Sequence, residues 1–137
     1  MKMRKLFIAL LLMTSFMLVG SAEEIDSEKF QKSFEKFARQ LELRENQKLP
    51  SKQILLRSAQ SRAKILESYG IRLGENTPIN LSFRKIRRFG GEMRKVGEQT
   101  EKELSTILDS DQMRRYRGQR KRRTQELSKE LRSRIRR

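Results

Sequence analysis

The chain has 137 residues, of which 33 are Lys or Arg and 17 are Asp or Glu, so its formal net charge is +16. It contains no Cys, no His and no Trp. These absences exclude disulfides, zinc sites built from Cys and His, and catalytic pairs that need either residue. The length predicts one domain. We therefore expect a protein that is not an enzyme and that carries no cofactor.

The first 22 residues are organised like a secretory signal peptide. Residues 1–5 are basic, residues 6–19 are almost entirely apolar, and the small residues 20–22 precede two acidic residues. As a helix the apolar run would span only about 21 Å, less than the roughly 30 Å hydrocarbon core of a bilayer. We predict cleavage after Ala22 and a periplasmic location, with an uncleaved membrane anchor as the alternative.

Removal of this segment would leave residues 23–137, a single domain with a net charge of +13 and an apolar content of about 29%. That content is low for a globular domain. Such a chain can bury narrow apolar stripes along helices or against a second copy of itself. A lone protomer is expected to leave these stripes exposed, which favours a homodimer.

Apolar residues at spacings of three and four predict two helices in the first half of residues 23–137. The first covers residues 27–42, and a break is expected near Leu43. The second runs to about Tyr69, with Pro50 either in its first turn or at a kink. Gly70 is expected to follow its C-terminus. The apolar positions of the first helix are Phe30, Phe34, Phe37, Ala38 and Leu41.

A loop over residues 70–79 precedes a third predicted helix, which begins within 78–83 and ends near Leu108. Three glycines inside it indicate a close approach to another helix or a bend, and a break in the helix is the competing interpretation. Asp109 is a candidate N-cap for a fourth helix that runs towards the C-terminus. The glycines are Gly90, Gly91 and Gly97. The sequence therefore predicts an all-α fold of four helices.

The last 24 residues, 114–137, hold 12 basic and two acidic residues. This basic C-terminal segment could dock anionic partners such as acidic proteins or an anionic membrane surface, or it could be a solvated helix face. Nucleic acid is disfavoured as a partner, because the segment has few rings for base stacking and the chain carries an apparent signal peptide. The candidate binding residues are Arg117, Arg120, Lys121, Arg122 and Arg123.

Two segments at predicted helix junctions share a Leu that is followed four residues later by Gln. They are Leu43 with Gln47, and Leu108 with Gln112. Each Leu is expected to pack its junction. Each Gln is expected to reach back to backbone groups that are left unpaired at the start of the new helix.

This pattern resembles the twice-repeated L-T-x-x-Q signature of the Spy/CpxP family of periplasmic chaperones, with Arg44 and Asp109 in the place of Thr. Residues 65–71 also resemble the end of the long helix of that family. The resemblance implies long helical hairpins, a thin, curved, antiparallel homodimer, and ATP-independent binding of unfolded or stress-damaged proteins. Metal sites known in some relatives are not expected, since His and Cys are absent. The alternative is a basic adaptor that coats anionic membrane or envelope polymers.

Overall fold

Four α-helices make up most of residues 27–135, the part of the chain that the computed structural model describes. No β-strand occurs within this range, although an isolated parallel bridge joins Ile79 to Ile135. The all-α prediction is therefore confirmed. The predicted signal peptide and its cleavage site lie outside the described residues. The helices are α1 (Ser27–Leu41), α2 (Glu45–Ser68), α3 (Phe83–Ser105) and α4 (Ser110–Arg134).

The break after α1 is a Schellman motif formed without glycine. The N–H of Leu43 donates to the carbonyl of Ala38 (2.9 Å), and the N–H of Glu42 donates to that of Arg39 (3.1 Å). The motif needs a left-handed residue, and here that residue is Glu42, with φ of 54°. This conformation is costly for any residue with a Cβ. The turn directs Leu43 into the core, where it is buried.

Pro50 lies inside α2 and not in its first turn. Because α2 begins at Glu45, Pro50 is its sixth residue and lies in the second turn, where it cannot donate to the carbonyl of Asn46. The helix nevertheless continues to Ser68. Of the two predicted positions, the first turn is therefore wrong, and the kink stays a prediction.

The end of α2 follows the prediction. Gly70 adopts a left-handed conformation, with φ of 66°. The N–H of Ile71 donates to the carbonyl of Leu66 (2.9 Å) across the turn. Both of these apolar side chains are buried. This second Schellman motif stops α2 and begins the long loop to α3.

The three glycines of α3 do not break it, so the competing interpretation of a mid-helix break is wrong. Gly97 is the site of a close approach, because a Cβ placed there would lie 2.6 Å from Nη2 of Arg120 on α4. Cβ atoms at Gly90 and Gly91 would meet nothing within 4 Å. Ser82 caps the helix by accepting a hydrogen bond from the N–H of Lys85 (3.3 Å).

The core consists of two apolar clusters at opposite ends of the helices. The buried residues of the junction cluster are Phe30, Phe34, Phe37, Ala38, Leu41, Leu43, Ile54, Leu55, Leu104, Leu108, Met113 and Tyr116. Those of the distal cluster are Leu66, Ile71, Leu73, Ile79 and Phe89. A buried hydrogen bond from Thr100 of α3 to Ser58 of α2 (2.9 Å) lies between the clusters along these two helices. Further along α2, Leu66 lies in the distal cluster with Phe89, which precedes Thr100 in α3. The helices α2 and α3 are therefore antiparallel.

The apolar side chains of α1 and most of those of α2 are buried within the single chain, whereas several on α3 and on the second half of α4 are half-buried. Among the described residues, Leu49 and Phe83 are the large hydrophobic side chains that remain exposed. The four helices thus cover one another's apolar faces in part, and the homodimer stays a prediction. The half-buried side chains include Ile86, Met93, Val96, Leu127 and Leu131.

Candidate functional site: the paired helix junctions

The two leucines of the repeated motif lie where the sequence predicted. Leu43 precedes α2 and Leu108 precedes α4, and both are buried in the junction cluster. Each lies in the short connection between two helices, so its burial fixes where one helix stops and the next begins. The hydrophobic half of the motif therefore serves the packing of the two junctions.

At the second junction, Asp109 and Gln112 form a capping box. Oδ1 of Asp109 accepts from the N–H of Gln112 (2.9 Å), and Oε1 of Gln112 accepts from the N–H of Asp109 (3.0 Å). These two bonds satisfy backbone donors at the start of α4 that no carbonyl within the helix can reach.

At the first junction only half of this arrangement exists. Oε1 of Gln47 accepts from the N–H of Arg44 (2.9 Å). The Arg44 side chain has no acceptor atom, so the N–H of Gln47 donates to the backbone carbonyl of Arg44 instead (2.9 Å). With Arg at position 44, one capping interaction of the box is missing, while the Gln forms the other.

The two glutamines also bind each other, although 65 positions separate them in the chain. Nε2 of Gln47 donates to Oε1 of Gln112 (2.9 Å), and Nε2 of Gln112 donates to Oε1 of Gln47 (3.0 Å). Both side chains are buried. The capping residues of α2 and α4 therefore form a reciprocal amide pair that joins the two helix junctions.

Each glutamine further donates to the backbone of the opposite junction. Nε2 of Gln47 donates to the carbonyl of Ile107 (3.0 Å). Nε2 of Gln112 lies 3.3 Å from the carbonyls of Leu41 and Glu42. Every donor and acceptor of the two amides thus has a partner, as burial requires. The contact of each Gln with the start of its own helix was predicted from the sequence, whereas the pair between the two glutamines was not.

Two ion pairs at the surface also connect the junctions. Arg44 lies 3.6 Å from Asp109, and Arg115 lies 3.4 Å from Glu42. All four side chains are substantially exposed, so each pair contributes little to stability. The buried amide pair, which contains no titratable group, is the stronger link between the junctions. Its chemistry suits the positioning of helices and offers no group for acid, base or nucleophilic catalysis.

Two of the predicted binding residues in the basic C-terminal segment instead have an internal partner. Nε of Arg117 lies 2.6 Å from Oε1 of Glu101 on α3, and Arg120 binds the other oxygen of the same carboxylate. The hydrogen bond from Arg117, assisted by Arg120, lowers the pKa of Glu101. These arginines therefore link α4 to α3, and their charge is partly neutralised.

Arg123 does not belong to an exposed surface, which corrects the prediction. It is only 6% exposed, and its guanidinium lies 5.6 Å from the ring centroid of Tyr116. Burial lowers the pKa of Arg123 to about 10. An Arg can pack its stem and its planar head against an aromatic ring, and this explains a buried position for a residue that the sequence placed on the surface. Of the five candidates, Lys121 and Arg122 are exposed and have no ion pair within the described residues.

A second basic surface, which was not predicted from the sequence, lies on the first half of α3. All six of its basic side chains are exposed, and no carboxylate within residues 27–135 lies within 4.0 Å of their nitrogens. Over residues 23–113 as a whole, basic and acidic residues nearly balance, whereas the segment 84–95 alone holds six basic residues and one acidic residue. The six are Arg84, Lys85, Arg87, Arg88, Arg94 and Lys95.

Comparison of the chain with protein-family models, with curated proteins and with solved structures returned no match. Within residues 27–135, no helix is both long and apolar enough to cross a bilayer. The same range contains no group of three acidic side chains arranged to hold a metal ion.

Proposed function

We propose that the chain is a periplasmic, ATP-independent chaperone-like protein that binds unfolded or stress-damaged proteins. The observation that carries this proposal is the pairing of Gln47 with Gln112. The resemblance to the Spy/CpxP family depends on two copies of a short motif. A chance repeat of so short a pattern has no reason to place both copies at helix junctions and in one hydrogen-bonded pair. The shared role of the two glutamines therefore supports the resemblance, and the resemblance supports the function.

The character of the surface suits reversible binding of acidic, unfolded chains. Large hydrophobic side chains are rare on it, whereas cations without an acidic partner are common, including Lys121 and Arg122 among the described residues. Attraction between opposite charges speeds encounter and weakens as salt rises. We expect capture of clients to be fast and sensitive to salt.

The proposal includes secretion with cleavage after Ala22 and assembly as a homodimer. The intact mass of the secreted protein should correspond to a chain beginning at Glu23. Sedimentation at micromolar concentration should give twice that mass. The dimer is supported by the resemblance and by the half-buried apolar side chains of α3 and α4. A folded monomer would refute the dimer and leave the chaperone proposal standing.

An aggregation assay tests the function directly. Several unrelated, chemically denatured clients are diluted into buffer with and without the protein, at low and at high salt. The proposal requires suppression of aggregation near equimolar ratios for most of them. If aggregation is unchanged while the protein binds anionic vesicles, the chain is an adaptor for anionic surfaces and the chaperone proposal is wrong.

The exposed cations of α4 can be tested with a matched control. The double variant Lys121→Gln and Arg122→Gln should slow client capture and flatten its dependence on salt. The control is Lys36→Gln with Lys64→Gln, which removes the same charge from exposed positions on α1 and α2. Equal effects of the two variants would mean that total charge matters and that α4 has no special role. Arg120 and Arg123 are left intact, because they contact Glu101 and Tyr116 within the fold.

A further inference from the structure

We propose that the outward face of the first half of α3 docks the protein onto anionic lipid bilayers, with Phe83 entering the headgroup region. This α3 basic face is distinct from the junctions and from the basic C-terminal segment. The inference goes beyond the proposed chaperone function and does not depend on it. The residues of the face are Arg84, Arg87, Arg88, Arg94 and Lys95.

Packing fixes which side of α3 faces outward. Phe89 is buried in the distal cluster, and Met93 packs against that cluster one turn later. At about 100° per residue, the five cations fall within an arc of about 120° on the opposite side of the helix. From residue 84 to residue 95 they extend about 17 Å along its axis. The face is therefore a continuous basic strip held on a rigid helix.

The charge of this strip is not neutralised within the described part of the chain. The segment 84–95 contains one acidic residue, Glu92, and no ion pair joins it to any of the five cations. On α4, by contrast, Arg117 and Arg120 share the carboxylate of Glu101. Two cations of α4 are thus paired with a carboxylate of a neighbouring helix, whereas the five cations of the α3 basic face are not. Such a surface attracts anions from outside the protein.

An exposed aromatic ring adjoins the strip. Phe83, the first residue of α3, is 75% exposed, and the guanidinium of Arg87 lies 5.7 Å from the centroid of its ring. Single exposed hydrophobic residues are ordinary in proteins. What distinguishes Phe83 is its position beside the cations of the α3 basic face. A ring beside several cations matches the surface of an anionic bilayer, where phosphates lie next to buried acyl chains.

Other occupants fit the face less well. A second copy of the same face would oppose five cations with five cations. Single-stranded nucleic acid would favour several stacking rings, whereas Phe83 is the one exposed aromatic ring beside the strip. An acidic protein would satisfy the charges but would give the exposed ring no apolar environment. The bilayer accounts for both the charge and the ring.

A fluorescent reporter tests the insertion of Phe83. The chain contains no Trp, so Phe83→Trp introduces a single tryptophan. Leu49→Trp is the matched control, because Leu49, at 65%, is the other large hydrophobic side chain that is exposed among the described residues. The vesicles are phosphatidylcholine alone or mixed with phosphatidylglycerol. We expect a blue shift, and quenching by brominated lipid, for Phe83→Trp on the anionic vesicles only. Equal shifts at both positions, or equal shifts on neutral vesicles, would overturn the proposal.

Charge removal tests the strip itself. Two triple variants replace equal charge by Gln: Arg84, Arg87 and Arg88 in one, and Lys121, Arg122 and Lys129 in the other. Each basic residue near an anionic leaflet strengthens binding about fivefold, so the α3 variant should lose on the order of a hundredfold in vesicle affinity. The α4 variant should lose less than about threefold, because its residues do not belong to the face that would meet the leaflet and screening weakens attraction with distance.

The remaining outcomes each decide the question. The loss in the α3 variant should shrink as salt rises, whereas the loss caused by Phe83→Ser should persist. Equal losses in the two triple variants would show attraction by net charge alone. Binding to polyglutamate or to single-stranded DNA as tight as to the vesicles, and unaffected by Phe83→Ser, would show a general polyanion surface. Either result would refute docking through the α3 basic face, whatever the aggregation assay shows. Circular dichroism of each variant confirms that the helices are intact.

Discussion

Replacement of Gln112 by Ala is the most direct test of the paired junctions. A glutamine that makes one hydrogen bond would contribute about 0.5–1.5 kcal/mol to stability. The structure gives Gln112 more partners: two bonds with Gln47, one from the N–H of Asp109, and a shared bond to the carbonyls that end α1. Truncation would remove all of them and leave buried groups unpaired.

We therefore expect Gln112→Ala to lower the free energy of unfolding by about 3 kcal/mol. For a domain of this size that corresponds to a fall of roughly 10–15 °C in melting temperature. The assay is urea unfolding followed by circular dichroism, with thermal melts in parallel. Gln60→Ala on α2 and Gln125→Ala on α4 are the controls. Both glutamines are exposed, so their variants should stay within about 0.5 kcal/mol of the wild type.

A double-mutant cycle isolates the pair itself. Because the two reciprocal bonds are lost in either single variant, Gln47→Ala together with Gln112→Ala should cost about 1–2 kcal/mol less than the sum of the two single changes. Additive effects, or a Gln112→Ala variant as stable as Gln125→Ala, would refute the reciprocal pairing.

Three further changes test other features of the junctions by the same unfolding measurements. Glu42→Gly should stabilise the protein by about 0.5–1 kcal/mol, because glycine adopts the left-handed conformation without strain. The control Glu42→Gln also lacks the ion pair to Arg115 but should not stabilise the protein. Equal stabilisation by the two variants would contradict the explanation by backbone strain. Arg44→Thr should add about 0.5–1 kcal/mol by giving the N–H of Gln47 a side-chain acceptor, and a loss of stability would show that the pair with Asp109 matters more. Leu108→Ala should cost about 2–5 kcal/mol, as buried leucine truncations do; an unchanged melting temperature would show that this side chain is not part of the core.

Local patterns predicted the helices well, because their signals lie within a few residues of each other. Asp109 and Gly70 were recognised as the residues that begin α4 and end α2. The first turn, one of the two positions predicted for Pro50, was wrong because this preference of proline is weak beside the bonds that start α2 at Glu45. The left-handed Glu42 carries no sequence signal, since its conformation follows from the turn that buries Leu43.

Features that depend on distant residues could not be predicted in this way. The Gln47–Gln112 pair requires the two junctions to meet in space, and the spacing of the motif alone does not establish that. The burial of Arg123 depends on the ring of Tyr116, and the pairing of Arg117 depends on Glu101 of another helix. Charge along the chain identified the basic segments only coarsely, because ion pairs between helices decide which cations remain free.

The amide pair also has a consequence for the order in which the chain folds. One glutamine lies in the first turn of α2 and the other in the first turn of α4, so neither junction alone can satisfy the hydrogen bonds of its own glutamine. Closing the contact across 65 residues has an entropic cost that is recovered only when both junctions have formed. A half-folded chain would hold an amide with half of its partners missing. We expect this to disfavour partly folded states and to make folding all-or-none, with the meeting of the two junctions as its last step.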